Sequence, residues 1–405
     1  MKIPFSPPYI DDDVIQEVTD ALKSGWITTG PRVKLLEAEI AAYSRVEQAL
    51  AVNSATSAMM LVLHWFGVTR GDEVIIPAYT YAATALAVLH VGAKPVMVDA
   101  GDDFNIDVRK IKRAITDKTK AIITVDYGGW PCDYDEITRL IKDPEVCEKF
   151  KAANTVQQSF GRMLLLSDAA HALGALYKQQ PVSRYADVTV YSFHAVKNVT
   201  SAEGGIICLN LPASLDNKSV YDTLRLWSLN GQTKDAFTKL KAGEWQYDIV
   251  YPGFKMNMPD VLAAIGLAQF RKYANLLLPE RNRVVEFYNA AFSVFSRAIL
   301  PPFHRTACVS SNHLYPLRIK GIDEAARNEI IHRAGEKGVA INVHFIPLPM
   351  LTIFKDRSYD IADYPNSYAL YANELSLPVY PQLGIAECQF IADTVKEAVM
   401  EVTGD

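Results

Sequence analysis

Residues 164–175 read LLLSDAAHALGA. Three consecutive leucines show no alternation of polar and apolar side chains, so a strand here is buried on both faces, as in a parallel sheet covered by helices. The run stops at Asp168, and in such a sheet the carboxyl ends of the strands open onto the ligand crevice. A carboxylate at that point is placed for chemistry, although it could equally cap the segment that follows. His171 is ambiguous by itself, because a single histidine is more often a hydrogen-bonded structural group than a catalytic one.

Six further short apolar runs share this character: QALAV (48–52), EVIIP (73–77), KPVMVD (94–99), KAIITV (120–125), ADVTVYSF (186–193) and GGIICLN (204–210). Helical segments or loops separate most of them, which predicts an α/β domain whose mostly parallel, mixed sheet is sandwiched by helices. Two amphipathic helices precede it, over 11–23 and 33–43. A polar and aromatic stretch from about Tyr221 to Met256 marks a transition. A long helical pattern then opens at Pro259, and helices near 280–297, 324–337 and beyond 386 alternate with strands near 313–319 and 340–345. The expected division is a large α/β domain over 1–256 and a linker helix with a smaller α+β domain over 257–405. The polar tract 147–161 reads as a surface insertion.

With 405 residues, 49% apolar and 21% charged, the chain is expected to fold throughout. Its net charge of −5 offers no broad basic surface for nucleic-acid phosphates. The five cysteines are scattered, with no CxxC pair, and read as free thiols in a reducing compartment with no metal site. No apolar run reaches the 18 residues or more of a membrane span, and the N-terminus has no apolar targeting core, so a cytoplasmic protein is expected.

Two other segments could carry chemistry. NSATSAMM (53–60) places small residues where a strand turns into a helix. Backbone N–H groups with the Thr56 and Ser57 hydroxyls could there face a phosphate, or Ser54 could merely cap the helix. VYSFHAVKNVTSAEGG (190–205) sets Lys197 among Ala195, Val196 and Val199, with Ser192 before it. Desolvation in such surroundings lowers an amine's pKa and makes it a nucleophile for Schiff-base chemistry. In chain order the phosphate turn, the strand-end Asp168 and Lys197 form the set that pyridoxal phosphate needs. The lysine binds its aldehyde, the carboxylate keeps its pyridine nitrogen protonated, and the turn holds its phosphate. Tyr81, in PAYTYAAT, is the candidate to cover the ring face.

The chain resembles the DegT/StrS family of sugar aminotransferases, which have the aspartate-aminotransferase fold (fold type I). The likeness runs through SGWITTGPRV, SATSAM, GDEVIIPAYTYAATA, SDAAHALGA, YSFHAVKN with SAEGG, PGFKMNMPDVLAAIGLAQF, INVHFIPLP and ELSLPVYPQL, nearly the whole sequence. The resemblance implies a cytoplasmic homodimer with shared active sites that moves an amino group from L-glutamate to a nucleotide-linked keto sugar through pyridoxamine 5'-phosphate. It places Lys197 and Asp168 in the catalytic roles and Tyr81 on the ring. It sets His171 beside the cofactor's phenolic oxygen, Thr56, Ser57 and Ser192 at the phosphate, and Asn257 in a segment supplied by the neighbouring subunit. Trp26, Thr28, Thr29 and His344 lie where the family meets its sugar nucleotide. The implied substrate is an NDP 4-keto-6-deoxyhexose, such as a UDP-linked N-acetyl sugar, on the way to a surface polysaccharide, with a 3-keto sugar as the alternative. Related dehydratases carry histidine at the position of Lys197. Three departures stand out: Ala55 for a common glycine, FKMNM for YNYRM, and Pro349 for a histidine.

Overall fold

The computed structural model describes residues 1–233, 246–303 and 305–404. All seven apolar runs are strands: β1 Gln48–Val52, β2 Glu73–Pro77, β3 Lys94–Val98, β4 Thr119–Val125, β5 Leu164–Asp168, β6 Val188–Ser192 and β7 Gly205–Leu209. They form one sheet in the order β1-β7-β6-β5-β4-β2-β3. Every pairing is parallel except those of β7, which runs antiparallel between β1 and β6. Each residue of β5 is buried, as its unbroken apolar character requires. This mixed, mostly parallel sheet between helices is the expected fold class.

Local chemistry sets the helix starts. In α1 (Asp12–Lys23), Asp11 caps by accepting the Val14 N–H at 3.2 Å. α2 (Pro31–Tyr43) has proline at its first turn but no cap of its own. The buried carboxylate of Asp260 supplies one from 227 to 230 residues away, accepting the N–H groups of Gly30, Arg32 and Val33. α3 (Ala55–Phe66) begins at Ser54 and ends at Gly67 in the left-handed conformation.

A three-stranded antiparallel sheet forms the second unit, with β8 (Tyr315–Ile319) between Ala298–Ile299 and β9 (Glu374–Leu377). Its core joins Tyr288 and Phe292 of the helix Leu278–Ser293, Ile330 of Glu324–Glu336, and Ile391 and Val395 of Ile385–Thr403. Ile3 belongs to this core too, since its N–H donates to Gly338 O at 2.8 Å.

Three sequence expectations need correction. The helix Asp260–Lys272 packs on the first unit, with Leu267 and Phe270 in the large core. The packing changes over between Leu277 and Val284 rather than at residue 257. Residues 340–345 make only a bridge from Asn342 to Ser376, because the His344 carbonyl is taken by tyrosine hydroxyls instead of a neighbouring strand. The 147–161 tract is anchored rather than purely superficial: Gln157 is buried and donates to Phe66 O at 2.9 Å, and Phe160 meets the Phe66 ring edge-on at 5.0 Å. Of the polar stretch after Tyr221, residues through 228 extend a helix from Asn217, and 234–245 lie outside the described residues.

Candidate active site

A cavity of about 470 Å³ opens at the carboxyl edge of the sheet. The topology collects its lining there. The five parallel strands β1, β2, β4, β5 and β6 all end at this edge, and the antiparallel β7 begins at it, so six chain segments converge.

Lys197 stands in this cavity, four residues beyond Phe193 in a loop with no regular structure. Hydrogen bonds fix that loop. Phe193 N–H donates to Gly204 O at 2.9 Å, Thr200 Oγ1 to Phe193 O at 3.1 Å, and Asn198 Nδ2 to Ser311 O at 2.8 Å. Burial lowers the Lys197 pKa to about 8, against the opposing pull of Asp168. At neutral pH roughly a tenth of such amines are unprotonated, against about one in a thousand for an ordinary lysine.

Asp168 ends β5 and is only 6% exposed. Its Oδ2 accepts the Thr84 hydroxyl at 2.7 Å and its Oδ1 the Ala170 N–H at 3.3 Å. Burial raises its pKa, while these two donors and the Lys197 charge pull it back. The carboxyl therefore has a fixed orientation and a site open to a cationic partner.

Thr56 and Ser54 line the cavity at the start of α3. Ser57 does not: its N–H donates to Ser54 Oγ at 3.1 Å and its hydroxyl accepts from the same oxygen at 2.9 Å. Gly205 explains the double glycine, because a Cβ there would lie 2.5 Å from both Ala55 N and Ser54 C. The backbone of the turn rests directly on β7.

His171 Nδ1 accepts the Gly128 N–H at 3.2 Å, so its proton sits on Nε2. Burial above all, with the charge of Lys197, holds the ring neutral. Ser192 and Tyr81 also line the cavity, Tyr81 with its ring 63% exposed and 5.7 Å from that of Phe345. His344 lines the opposite wall.

Four expected residues lie elsewhere. Asn257 bridges to Val52 and its amide donates to Thr29 Oγ1 at 2.6 Å, while Thr29 donates to Met258 O at 2.6 Å. Trp26 Nε1 donates to Thr29 O at 3.2 Å, and Thr28 O accepts the Asp260 N–H. This cluster sits beside the end of β1, outside the cavity that Lys197 occupies.

The sequence reading overlooked Thr80, Thr84 and His313. The first two are a hydroxyl pair at i, i+4 in an apolar helix, a signal that was available in PAYTYAAT. His313 gave no such signal. It is buried against the His171 ring at 4.3 Å only because the second unit delivers it there.

A model of the DegT/DnrJ/EryC1/StrS aminotransferase family matches residues 8–396. The chain is 35% identical to the spore coat polysaccharide biosynthesis protein SpsC of Bacillus subtilis over 98% of this chain and 97% of that one. Among solved structures it is similar to the putative sugar aminotransferase Spr1654 from Streptococcus pneumoniae in its PLP form. The TM-score there is 0.94 at 41% identity, over 99% of this chain and 100% of that one. It is also similar to Helicobacter pylori PseC, an aminotransferase involved in the biosynthesis of pseudoaminic acid, with a TM-score of 0.86 and 27% identity over 99% and 100%.

Proposed function

The chain belongs to the DegT/DnrJ/EryC1/StrS aminotransferase family of pyridoxal-phosphate enzymes, and we propose that it transfers the amino group of L-glutamate to the C4 ketone of a nucleotide-linked 4-keto-6-deoxyhexose. The observation that carries this reading is the facing pair of Lys197 and Asp168 in one cavity, with the Ser54–Thr56 turn beside them. The residues present fit pyridoxal phosphate: an amine of lowered pKa, a carboxylate held by one hydroxyl, and a helix start whose backbone a glycine leaves unobstructed. Bound there, the cofactor supplies an aldehyde to take up the amine and a conjugated ring to accept electrons.

The chain's own groups do the rest. Lys197 Nζ, partly unprotonated at neutral pH, receives the proton leaving the α-carbon of glutamate and returns one in the second half-reaction. Asp168 faces the pyridine nitrogen and keeps it protonated, with Thr84 preventing the carboxylate from turning. His171 presents Nε2–H as a donor to the phenolic oxygen. Thr56, with Ser192 and the helix start, holds the phosphate, and Tyr81 covers the ring.

A homodimer completes the site in this reading. Asn257, Thr29 and Trp26 lie outside their own subunit's cavity, and Ile27, Ile249 and Val250 leave more than half of each side chain exposed for a second copy. His344 meets the sugar nucleotide. The polysaccharide role of the relative SpsC and the sugar product of PseC's pathway support a surface-polysaccharide precursor as the product, made in the cytoplasm. Lys197, where related dehydratases carry histidine, argues for aminotransfer over deoxygenation.

The test mixes the protein with pyridoxal phosphate, glutamate and a panel of nucleotide-linked 4-keto and 3-keto sugars. It follows 2-oxoglutarate together with product mass. Release that depends on a 4-keto sugar supports the assignment; release with 3-keto sugars alone moves the amination to C3.

A further inference from the structure

Behind the cavity wall three polar side chains form a line that the transamination steps leave unused. Glu374 on β9 is fully buried. Its Oε1 lies 2.5 Å from Ser376 Oγ, and its Oε2 accepts the main-chain N–H of His344 at 3.2 Å. Ser376 Oγ in turn lies 2.9 Å from His344 Nδ1. His344 cannot turn away, because its carbonyl accepts the hydroxyls of Tyr79 at 2.8 Å and Tyr127 at 2.6 Å, and its ring stacks on Phe5 at 5.3 Å. With Nδ1 engaged by Ser376, Nε2 is the ring nitrogen offered to the cavity.

The groups around this line leave the carboxyl without a direct cationic partner among the described residues. Arg327 Nη1 reaches the main-chain oxygen of Glu374 at 3.4 Å, not its carboxyl. Arg318 is its register partner across β8, with its guanidinium over the Phe104 ring. The remaining neighbours are the Tyr79 and Tyr127 hydroxyls and, across His344, Lys197. Burial raises the Glu374 pKa to about 8, and burial together with Lys197 lowers that of His344 to about 3.

We propose that Glu374 and Ser376 set, through this one hydrogen-bonded chain, which nitrogen of His344 carries the proton that the cavity meets. When Glu374 is ionised it accepts Ser376 O–H, Ser376 Oγ accepts His344 Nδ1–H, and Nε2 is a bare acceptor. Uptake of one proton at Nε2 moves the Nδ1 proton to Ser376 and the Ser376 proton to Glu374 Oε1. His344 is then an Nε2–H donor, the imidazole is neutral in both states, and the charge on the chain changes from −1 to 0. Glu374 is thus a positioning residue, and the group it controls is the one that meets a sugar oxygen. That last clause rests on the proposed function; the proton switch does not.

The test reads the two ring nitrogens of His344 by nitrogen-15 NMR in the cofactor-loaded protein, from about pH 6.5 to about 9.5, with the signal assigned by its loss in His344→Asn. The expected result is Nε2–H at the acid end and Nδ1–H at the alkaline end, with a midpoint near the Glu374 pKa of about 8. In Glu374→Gln the amide oxygen stays on the His344 N–H and the NH2 faces Ser376, so His344 should remain Nε2–H throughout. Ser376→Ala should remove the pH dependence without touching Glu374. In wild type, kcat/KM for the keto sugar should fall about tenfold per pH unit above the midpoint, and Glu374→Gln should lack that limb. A His344 that keeps one tautomer across the range, or that titrates unchanged in both variants, overturns the proposal. A sugar panel without turnover beside an intact tautomer switch instead refutes the substrate assignment alone.

Discussion

Thr84 Oγ1 donates a 2.7 Å hydrogen bond to Asp168 Oδ2, with Thr80 Oγ1 3.0 Å behind it. The two hydroxyls form a short relay that fixes the carboxylate from inside the domain, leaving its other face for the cofactor. A hydrogen bond to a charged group is worth about 1.5–3 kcal/mol, roughly a factor of 10 to 100. Thr84→Val should therefore weaken pyridoxal-phosphate affinity by about that factor, measured by fluorescence titration. An unchanged dissociation constant would remove Thr84 from the site.

Lys197→Ala should lose turnover by at least about a thousandfold, since nucleophile and proton carrier disappear together. Borohydride treatment of the wild-type protein with pyridoxal phosphate should attach the cofactor to the peptide containing Lys197, and a mass spectrum locates it. Because the Lys197 pKa is lowered to about 8, attachment should rise with pH through that value. Attachment at another lysine would refute the assignment.

Gly205→Ala places a methyl group 2.5 Å from the backbone of Ser54 and Ala55, neither of which can move as a side chain can. Overpacking of this kind costs about 1–3 kcal/mol. Both the melting temperature and cofactor affinity should drop, because the displaced backbone is the proposed phosphate turn. If only the melting temperature falls, the turn does not hold the phosphate.

Stability should depend on pH with a definite sign. Burial raises the carboxyls of Glu37 to about 7 and Glu374 to about 8, so above pH 6.5 the unfolded chain has ionised groups that the folded chain keeps protonated. Their stabilisation, complete below the unfolded values, is lost as pH rises through the folded ones, at about 1.4 kcal/mol per pH unit for each group. His171 and His313 are lowered by burial and act oppositely, losing stability as pH falls below about 6.5. Chemical denaturation of the cofactor-free protein should show stability falling between about pH 6.5 and about 8, and Glu374→Gln should flatten that fall. A rise over this interval would contradict the burial assigned to these carboxyls.

The strands and the ends of the first domain were readable because each run is short, uninterrupted and closed by a turn, as in LLLSD and EVIIP. Lys197, Asp168 and Thr56 were readable for a related reason: each follows a strand end, and parallel strand ends share one edge. Residues 340–345 misled because an apolar, β-branched run predicts a strand only if a neighbouring strand pairs with it, and here tyrosine hydroxyls take one of its carbonyls. Gln157 misled because a polar side chain in a polar tract gives no sign that it will satisfy a buried carbonyl of α3.

By itself, then, the sequence determined the seven buried strands, the helix starts marked by Asp11 and Ser54, and the order of turn, carboxylate and lysine. These depend on residues near one another in the chain. The tertiary structure alone decided that Asp260 caps α2, that Thr84 holds Asp168, that His313 lies against His171, and that Glu374 reaches His344 through Ser376. Each of those contacts joins distant segments or depends on how they are packed, and a buried polar group takes whichever partner the packing brings within hydrogen-bonding distance.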